Sequence, residues 1–351
     1  MKSLFLLGAA GSGKTAIALG LALKFRELGY RVGYFKPVGA PTGVTGRRDE
    51  DGVLMQTILN LPHPLETIVP ITARNLHLSG SLDAAQLKER IYQAYECVAS
   101  GVDVLLVDGA SFPYVMASYG LDSFSLARRI GAAVICVARP DNDFQFDEVL
   151  FLNHYAVSQD INLAGNIFNN VSRPQFDKAR GIYTRFLVGH GYRSLGVIPS
   201  RPEISAPTVA EFYETLGGEI LSGAENLDRL VEDVVVGAMT IESALGYLRR
   251  AQNKAVITGG DRADLALAAL ETSTSVIILT GGLYPDIGVV ARANEKGVPV
   301  ILTHYDTYTV IEKVGEVTRR IRPGDERAIS LARENIERYC DWALIEAAVR
   351  Q

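Results

Sequence analysis

Eight residues near the start have the types and spacing to grip a polyphosphate. Gly8-Ala9-Ala10-Gly11-Ser12-Gly13-Lys14-Thr15 fits the pattern G-x-x-x-x-G-K-[ST]. Gly8, Gly11 and Gly13 let backbone N–H groups close around phosphate oxygens, with Ser12 held inside the same turn. A helix beginning at the loop adds partial positive charge. Lys14 reaches the β- and γ-phosphates, and Thr15 offers a hydroxyl to Mg²⁺. The apolar run Leu4–Leu7 before the loop reads as a strand and the pattern Lys14–Leu28 after it as a helix, which is the context the motif requires.

Phosphoryl transfer also needs a metal clamp and a charge neutraliser. Asp108 closes the apolar run Val104–Val107, so it falls at the carboxyl end of a strand, on the same sheet edge as the loop. Lys36 ends the strand containing Gly33-Tyr34-Phe35 and precedes Pro37, a position from which its ammonium can enter the site. Asp49, Glu50 and Asp51 follow Arg47-Arg48 and precede a helical run beginning near Gly52. This cluster is either a solvated helix start or, through Asp51, a Mg²⁺ ligand acting directly or through water. The five histidines have no metal-ligand spacing. Cys97, Cys136 and Cys340 are too widely spaced for a zinc pattern or a disulfide framework, which fits a reducing compartment.

The elements that must position these residues alternate almost from end to end. Strands are expected at Ser3–Leu7, Arg31–Lys36, Asp103–Val107, Ala132–Ala138, Asn162–Phe168 and Ser194–Ile198. They are apolar without polar alternation, the mark of strands buried on both faces of a parallel sheet. Helical patterns at Lys14–Leu28, Asp83–Ala99, Phe124–Ile130, Phe146–Ser158 and Gln175–His190 fall between them, implying a doubly wound sheet. Two stretches break the rhythm: the proline-rich residues 60–82, read as a loop or lid, and residues 200–230 with a short helix at Val209–Leu216. The second half repeats the α/β rhythm on a smaller scale. Its strands are expected at Asp233–Val236, Ala255–Thr258, Ser275–Thr280 and Val298–Leu302, and its helices at Ile241–Arg250, Ala263–Leu270, Ile287–Lys296 and Tyr305–Val317. Thr258-Gly259-Gly260 and Thr280-Gly281-Gly282 end two of these strands alike, and their backbone N–H groups beside Arg262 are a candidate anion site. Asp325–Val349 reads as one helix. The expected division is a P-loop domain over 1–212, a smaller α/β domain over 213–320 and a C-terminal helix within 321–351.

Bulk properties bound the function. The chain has 351 residues, 48% hydrophobic and 21% charged, so it can bury sizeable cores and is neither disordered nor fibrous. A formal charge of −5 without a basic block argues against nucleic acid as partner. No apolar stretch approaches the roughly 20 residues of a membrane span, so the expectation is a cytoplasmic protein without membrane association.

These residues carry a resemblance. The phosphate loop, then Gly33-Tyr34-Phe35-Lys36-Pro37-Val38, Asp51 before a helix and Asp108-Gly109-Ala110 resemble dethiobiotin synthetase and its relatives, including the cobyrinic acid amidating synthetases and the N-terminal domain of long phosphate acetyltransferases. Gly165-Asn166-Ile167-Phe168-Asn169-Asn170 is similar to that family's strand ending in an adenine-reading asparagine, and Gly196-Val197-Ile198-Pro199 to the segment whose backbone flanks the purine. The resemblance covers residues 1–215. It implies ATP and Mg²⁺ as cofactors. Lys14 and Thr15 then bind phosphate and metal, Asp51 and Asp108 hold the metal, and Lys36 sits beside the γ-phosphate or an acyl-phosphate-like intermediate. Asn169 then reads adenine, with Pro199 beside the base. Departures fall where the synthetases cradle their substrate: Ala-Ala-Gly-Ser inside the loop, Asp108 where glutamate is usual, and Ser111-Phe112-Pro113 after it.

The second half resembles the DRTGG domain that follows this ATPase-like domain in long phosphate acetyltransferases, through Val236-Gly237-Ala238-Met239-Thr240, Gly260-Asp261-Arg262 and Thr280-Gly281-Gly282. That resemblance implies a regulatory domain taking a small-molecule or nucleotide effector. The resulting expectation is a Mg-ATP-binding protein with slow hydrolysis, used as a switch, with Lys14, Lys36 and Asp108 as its catalytic groups, and assembled as a homodimer or higher oligomer. The alternatives are an ATP-dependent ligase working through a phosphorylated acid, and a non-catalytic scaffold with a structural nucleotide.

Overall fold

A computed structural model describes all residues except 40–48, 74–77, 79–82, 316, 318–319 and 351. Arg47 and Arg48, and parts of the expected 60–82 lid, lie outside the described residues. The chain forms two compact units. The first comprises Met1–Ile204 together with Ile321–Gln351, and the second Ser205–Arg320.

In the first unit six strands form a wholly parallel sheet: β1 (Lys2–Leu7), β2 (Val32–Phe35), β3 (Val104–Asp108), β4 (Ala133–Ala138), β5 (Leu163–Val171) and β6 (Ser194–Pro199). Their order is β2-β3-β1-β4-β5-β6. The chain winds one way from β1 to reach β2 and β3, then the other way to β4, β5 and β6. β1 therefore lies at the switch point, where the crevice beyond the strand ends suits ligands. Both faces of the sheet are covered. Leu4, Leu6 and Tyr34 enter the core on one side, Phe5, Leu7 and Phe35 the core on the other. This two-sided burial is why the strands carry no polar alternation.

Helix α1 (Lys14–Glu27) follows the phosphate loop and buries residues around most of its circumference, including Ile17, Leu19, Leu21 and Phe25. Its second neighbour is the C-terminal segment. That segment, expected as one helix over Asp325–Val349, is two: α3 (Glu326–Tyr339) and α4 (Trp342–Arg350); α2 (Glu50–Ile58) is described with the site below. The break is local and physical. Cys340 takes an extended conformation (φ −109°, ψ 147°) and bridges to Gly196 on β6, while Asp341 donates its N–H to Leu195 O. The Asp341 side chain then accepts from Leu344 N and starts α4. Gly20 on α1 faces α3 so closely that a Cβ there would lie 2.4 Å from Ala332 O. Phe25 packs on Trp342 with ring centroids 4.7 Å apart.

The expected loop over 60–82 holds a short helix at Leu65–Ile68 and a two-residue strand, Ile71–Thr72, paired in parallel with Val38–Gly39. The expected helix Gln175–His190 runs from Arg173 to Gly189, with a wider π-type turn at Ala179–Tyr183.

The second unit has a five-stranded sheet in the order β8-β9-β10-β11-β7: β7 (Glu219–Ser222), β8 (Asp233–Val236), β9 (Lys254–Gly259), β10 (Thr274–Thr280) and β11 (Val300–Leu302). β7 is the one antiparallel member, paired with β11. It sits between Gly217-Gly218 and Gly223, so the stretch looks like a linker until the sheet edge recruits it. Helices at Ile241–Arg250, Ala263–Leu270 and Ile287–Lys296 fall as expected, and the last is Thr307–Gly315. Among the described residues, no helix is long and apolar enough to cross a membrane.

Candidate nucleotide site

The phosphate loop connects β1 to α1. Gly11 and Gly13 both take positive φ, 75° and 82°. At Gly13 a side chain is doubly excluded, because a Cβ would also lie 2.2 Å from Asn169 Nδ2. Lys14 is buried and donates to Gly8 O at 2.8 Å and Ala9 O at 3.1 Å. Burial lowers the proton affinity of its ammonium, and the neighbouring Asp108 opposes that.

Asp108 ends β3, and the register of the sheet pairs it with Leu6, so it lies at the same edge as the loop. Its Oδ2 accepts from the Thr15 hydroxyl at 3.3 Å and from the Tyr34 hydroxyl at 2.9 Å. Among the described residues its buried Oδ1 has no hydrogen-bond partner, nor has Ser12 Oγ inside the loop. Burial pushes the Asp108 carboxyl up; Lys36 pulls it down and the Asp51 charge pushes the same way as burial.

Lys36 follows β2 and is buried between two carboxylates. It meets Asp49 at 3.0 Å and makes a close ion pair with Asp51. Burial works against its charge, but Asp51, Asp49 and Asp108 together outweigh this and hold the ammonium protonated well above the ordinary lysine range. Asp51 sits in the first turn of α2; burial works against its charge, but Lys36 and a hydrogen bond from Thr15 hold its carboxyl below the usual range. Asp49 is the N-cap of α2 and accepts from Gly52 N at 2.9 Å.

Five residues read from the sequence thus share one charge cluster: Lys14, Thr15, Lys36, Asp51 and Asp108. Asn169 joins from β5, donating its amide to Ser12 O at 2.9 Å, so it braces the loop backbone. Pro199 ends β6 and pairs with Val171, one strand beyond. Two residues of the cluster escaped the motif reading. Asp49 carries a signal, standing three residues before Gly52 as an N-cap should. Tyr34 carries none, because a tyrosine inside an apolar strand looks like any core residue.

A divalent cation fits these residues. A buried carboxylate oxygen lacking a donor, flanked by a second carboxylate and a hydroxyl, is the hard oxygen set that Mg²⁺ takes. The orphaned Ser12 hydroxyl is likewise suited to a phosphate oxygen.

In the second unit the Gly-Gly turn after β10 does not match the expected anion site. Gly281 N donates to Tyr305 O and Gly282 N to Thr303 O, so both amides are occupied by the chain after β11. Arg262 is likewise engaged, with Asp264 and with Met239 O. The glycines serve a tight βα turn.

The fold and the site define a P-loop NTPase-like α/β domain accompanied by a smaller α/β domain. Residues 2–208 match the family model described as AAA domain, and residues 211–317 that described as DRTGG domain. The chain belongs to this AAA domain family, with a DRTGG domain following it, as the resemblance implied. Similar proteins include phosphate acetyltransferases from Pseudomonas putida, 28% identical over 90% of this chain and 47% of that protein, and from Nitratidesulfovibrio vulgaris, 25% identical over 94% of this chain and 49% of that protein. The chain thus spans about half the length of these relatives. The ATP-dependent dethiobiotin synthetase of Methanocaldococcus jannaschii is 30% identical over 46% of this chain and 76% of that enzyme. Among solved structures, the CBS and DRTGG domains of the Clostridium perfringens pyrophosphatase regulatory region, complexed with the activator diadenosine tetraphosphate, match at 26% identity and a TM-score of 0.29, covering 32% of this chain and 47% of that one.

Proposed function

We propose that this chain binds Mg-ATP in its first unit and hydrolyses it slowly, as a switch read by the DRTGG domain. The observation that carries the reading is the cluster at the carboxyl edge of the sheet, where a phosphate loop, two lysines and two metal-competent acids meet around an Asp108 oxygen that has no donor among the described residues.

Lys14 and Lys36 are placed to neutralise phosphate charge. Thr15, Asp51 and Asp108 would hold Mg²⁺, which when bound screens the β- and γ-oxygens and polarises the phosphoryl group. Lys36 stays a fixed cation because Asp49 and Asp51 hold its proton; it does not act as a base. Asn169 keeps the loop closed through Ser12 O, and with Pro199 it borders the base. The effector of the DRTGG domain, a small molecule or nucleotide, and a homodimeric assembly are part of the same proposal. Coupling demands that each ligand prefer one of two states.

The test is ADP release from Mg-ATP by the full chain, with ATP binding by calorimetry, in wild type, Lys14→Ala and Asp108→Asn. Binding lost in Lys14→Ala, and slow turnover lost in Asp108→Asn, is the expected result. Turnover accelerated by a carboxylic acid instead indicates a ligase, and binding without turnover a scaffold. A wild type that binds no ATP overturns the proposal.

A further inference from the structure

Tyr34 has no role of its own in the sequence motifs, yet it is among the largest wholly buried side chains described. It lies on β2 opposite Leu106, two residues short of Asp108 on the neighbouring strand. Its ring fills the core beneath α1 and α2, where phenylalanine would fill the same space. The hydroxyl is what distinguishes it. A phenol in an apolar core needs a partner, and this one donates to Asp108 Oδ2 at 2.9 Å. Thr15 donates to that same oxygen, so among the described residues Oδ2 receives two hydroxyls and Oδ1 none. A carboxylate turns freely about its last torsion unless its oxygens are made unequal. Here they are unequal, and one rotation is fixed.

We infer that Tyr34 is a positioning residue for the metal site: its hydroxyl holds Asp108 Oδ2, leaving Oδ1 as the oxygen offered to a divalent cation. The inference rests on the Mg-ATP reading and adds a determinant of the metal's contribution. Thr15 alone cannot do this work, because its hydroxyl is itself offered to the metal and is shared with Asp51.

The experiment measures ATP affinity by calorimetry in Mg²⁺ and in EDTA, for wild type, Tyr34→Phe, Asp108→Asn and the double variant. Tyr34→Met is a second hydroxyl-free variant, and circular dichroism checks folding of each. In both Tyr34 variants the ratio of Mg²⁺ to EDTA affinity falls about tenfold, the scale of one hydrogen bond to a charged group, while the EDTA affinity holds. In the Asp108→Asn background, Tyr34→Phe changes the ratio no further. A wild-type ratio in Tyr34→Phe overturns the inference and leaves the nucleotide site intact. An equal loss in Mg²⁺ and EDTA also overturns it, since that is a packing role. A wild type that does not bind ATP at all overturns the nucleotide reading and this inference together.

Discussion

At the scale of single residues, the site depends on backbone geometry as much as on charge. Gly13 is held at φ 82° with Asn169 Nδ2 against its α-carbon. An L side chain in that conformation costs about 1–2 kcal/mol before any contact is counted. Gly13→Ala is therefore expected to lower ATP affinity at least about tenfold, since one such step in free energy is 1.4 kcal/mol. Calorimetry reads this directly. Asn169→Ala in the same background should recover part of the loss, because it removes the atom that the new Cβ meets. The ion cluster has a different logic. Lys36 is buried, and its charge persists because Asp49 and Asp51 surround it. The phosphate-loop spacing singles out Lys14 and Thr15, and the end of the apolar run Val104–Val107 singles out Asp108. Tyr34 and the locking of Lys36 depend on strands distant in sequence, and no local pattern signals them.

At the scale of elements, α1 is the joint between the loop and the rest of the fold. It is covered on its outer side by α3, with Gly20 against Ala332 O. Gly20→Val forces these backbones apart, and overpacking of that kind costs about 1–3 kcal/mol. The midpoint of urea unfolding should fall accordingly, with little change in slope. At the opposite edge of the sheet, Arg31 and Asp103 pair through two hydrogen bonds at 3.0 and 2.7 Å. The Arg31 side chain and backbone hold the Asp103 carboxyl down to about 2. Its folded value thus lies below its unfolded one, so the pair supports the fold above about pH 4 and loses that support as pH falls toward 2. Both side chains are exposed, so the effect is small and salt-sensitive. Melting temperatures of wild type and Asp103→Asn, measured from pH 5 to 2, should converge at the acid end, and 1 M salt should shrink the difference above it.

At the scale of the whole molecule, the question is whether nucleotide in the first unit is felt in the second. A ligand that binds only the folded state at a hundred times its Kd adds about 2.7 kcal/mol of stability. Amide hydrogen exchange with saturating Mg-ATP should show protection at residues 8–15 and along β1 and β3. The switch reading further expects altered exchange in the second unit around Gly260–Arg262 and Thr280–Gly282. Protection confined to the first unit would favour the scaffold.

What the chain determined by itself is the local chemistry: a strand, a glycine loop and a helix in immediate succession, and apolar runs of the length that parallel strands need. Those features depend on neighbours within about ten residues, so they can be read in order along the chain. The two-domain identity was likewise legible, because its motifs sit at strand ends. What only the tertiary structure decided depends on partners far away. The C-terminal segment breaks at Cys340 because β6 captures it through Gly196 and Leu195. Glu219–Ser222 becomes a strand because β11 presents an open edge. The amides of Gly281 and Gly282 are occupied because the chain after β11 folds over them. The two oxygens of Asp108 become unequal because β2 brings the Tyr34 hydroxyl to one of them across 74 residues of sequence.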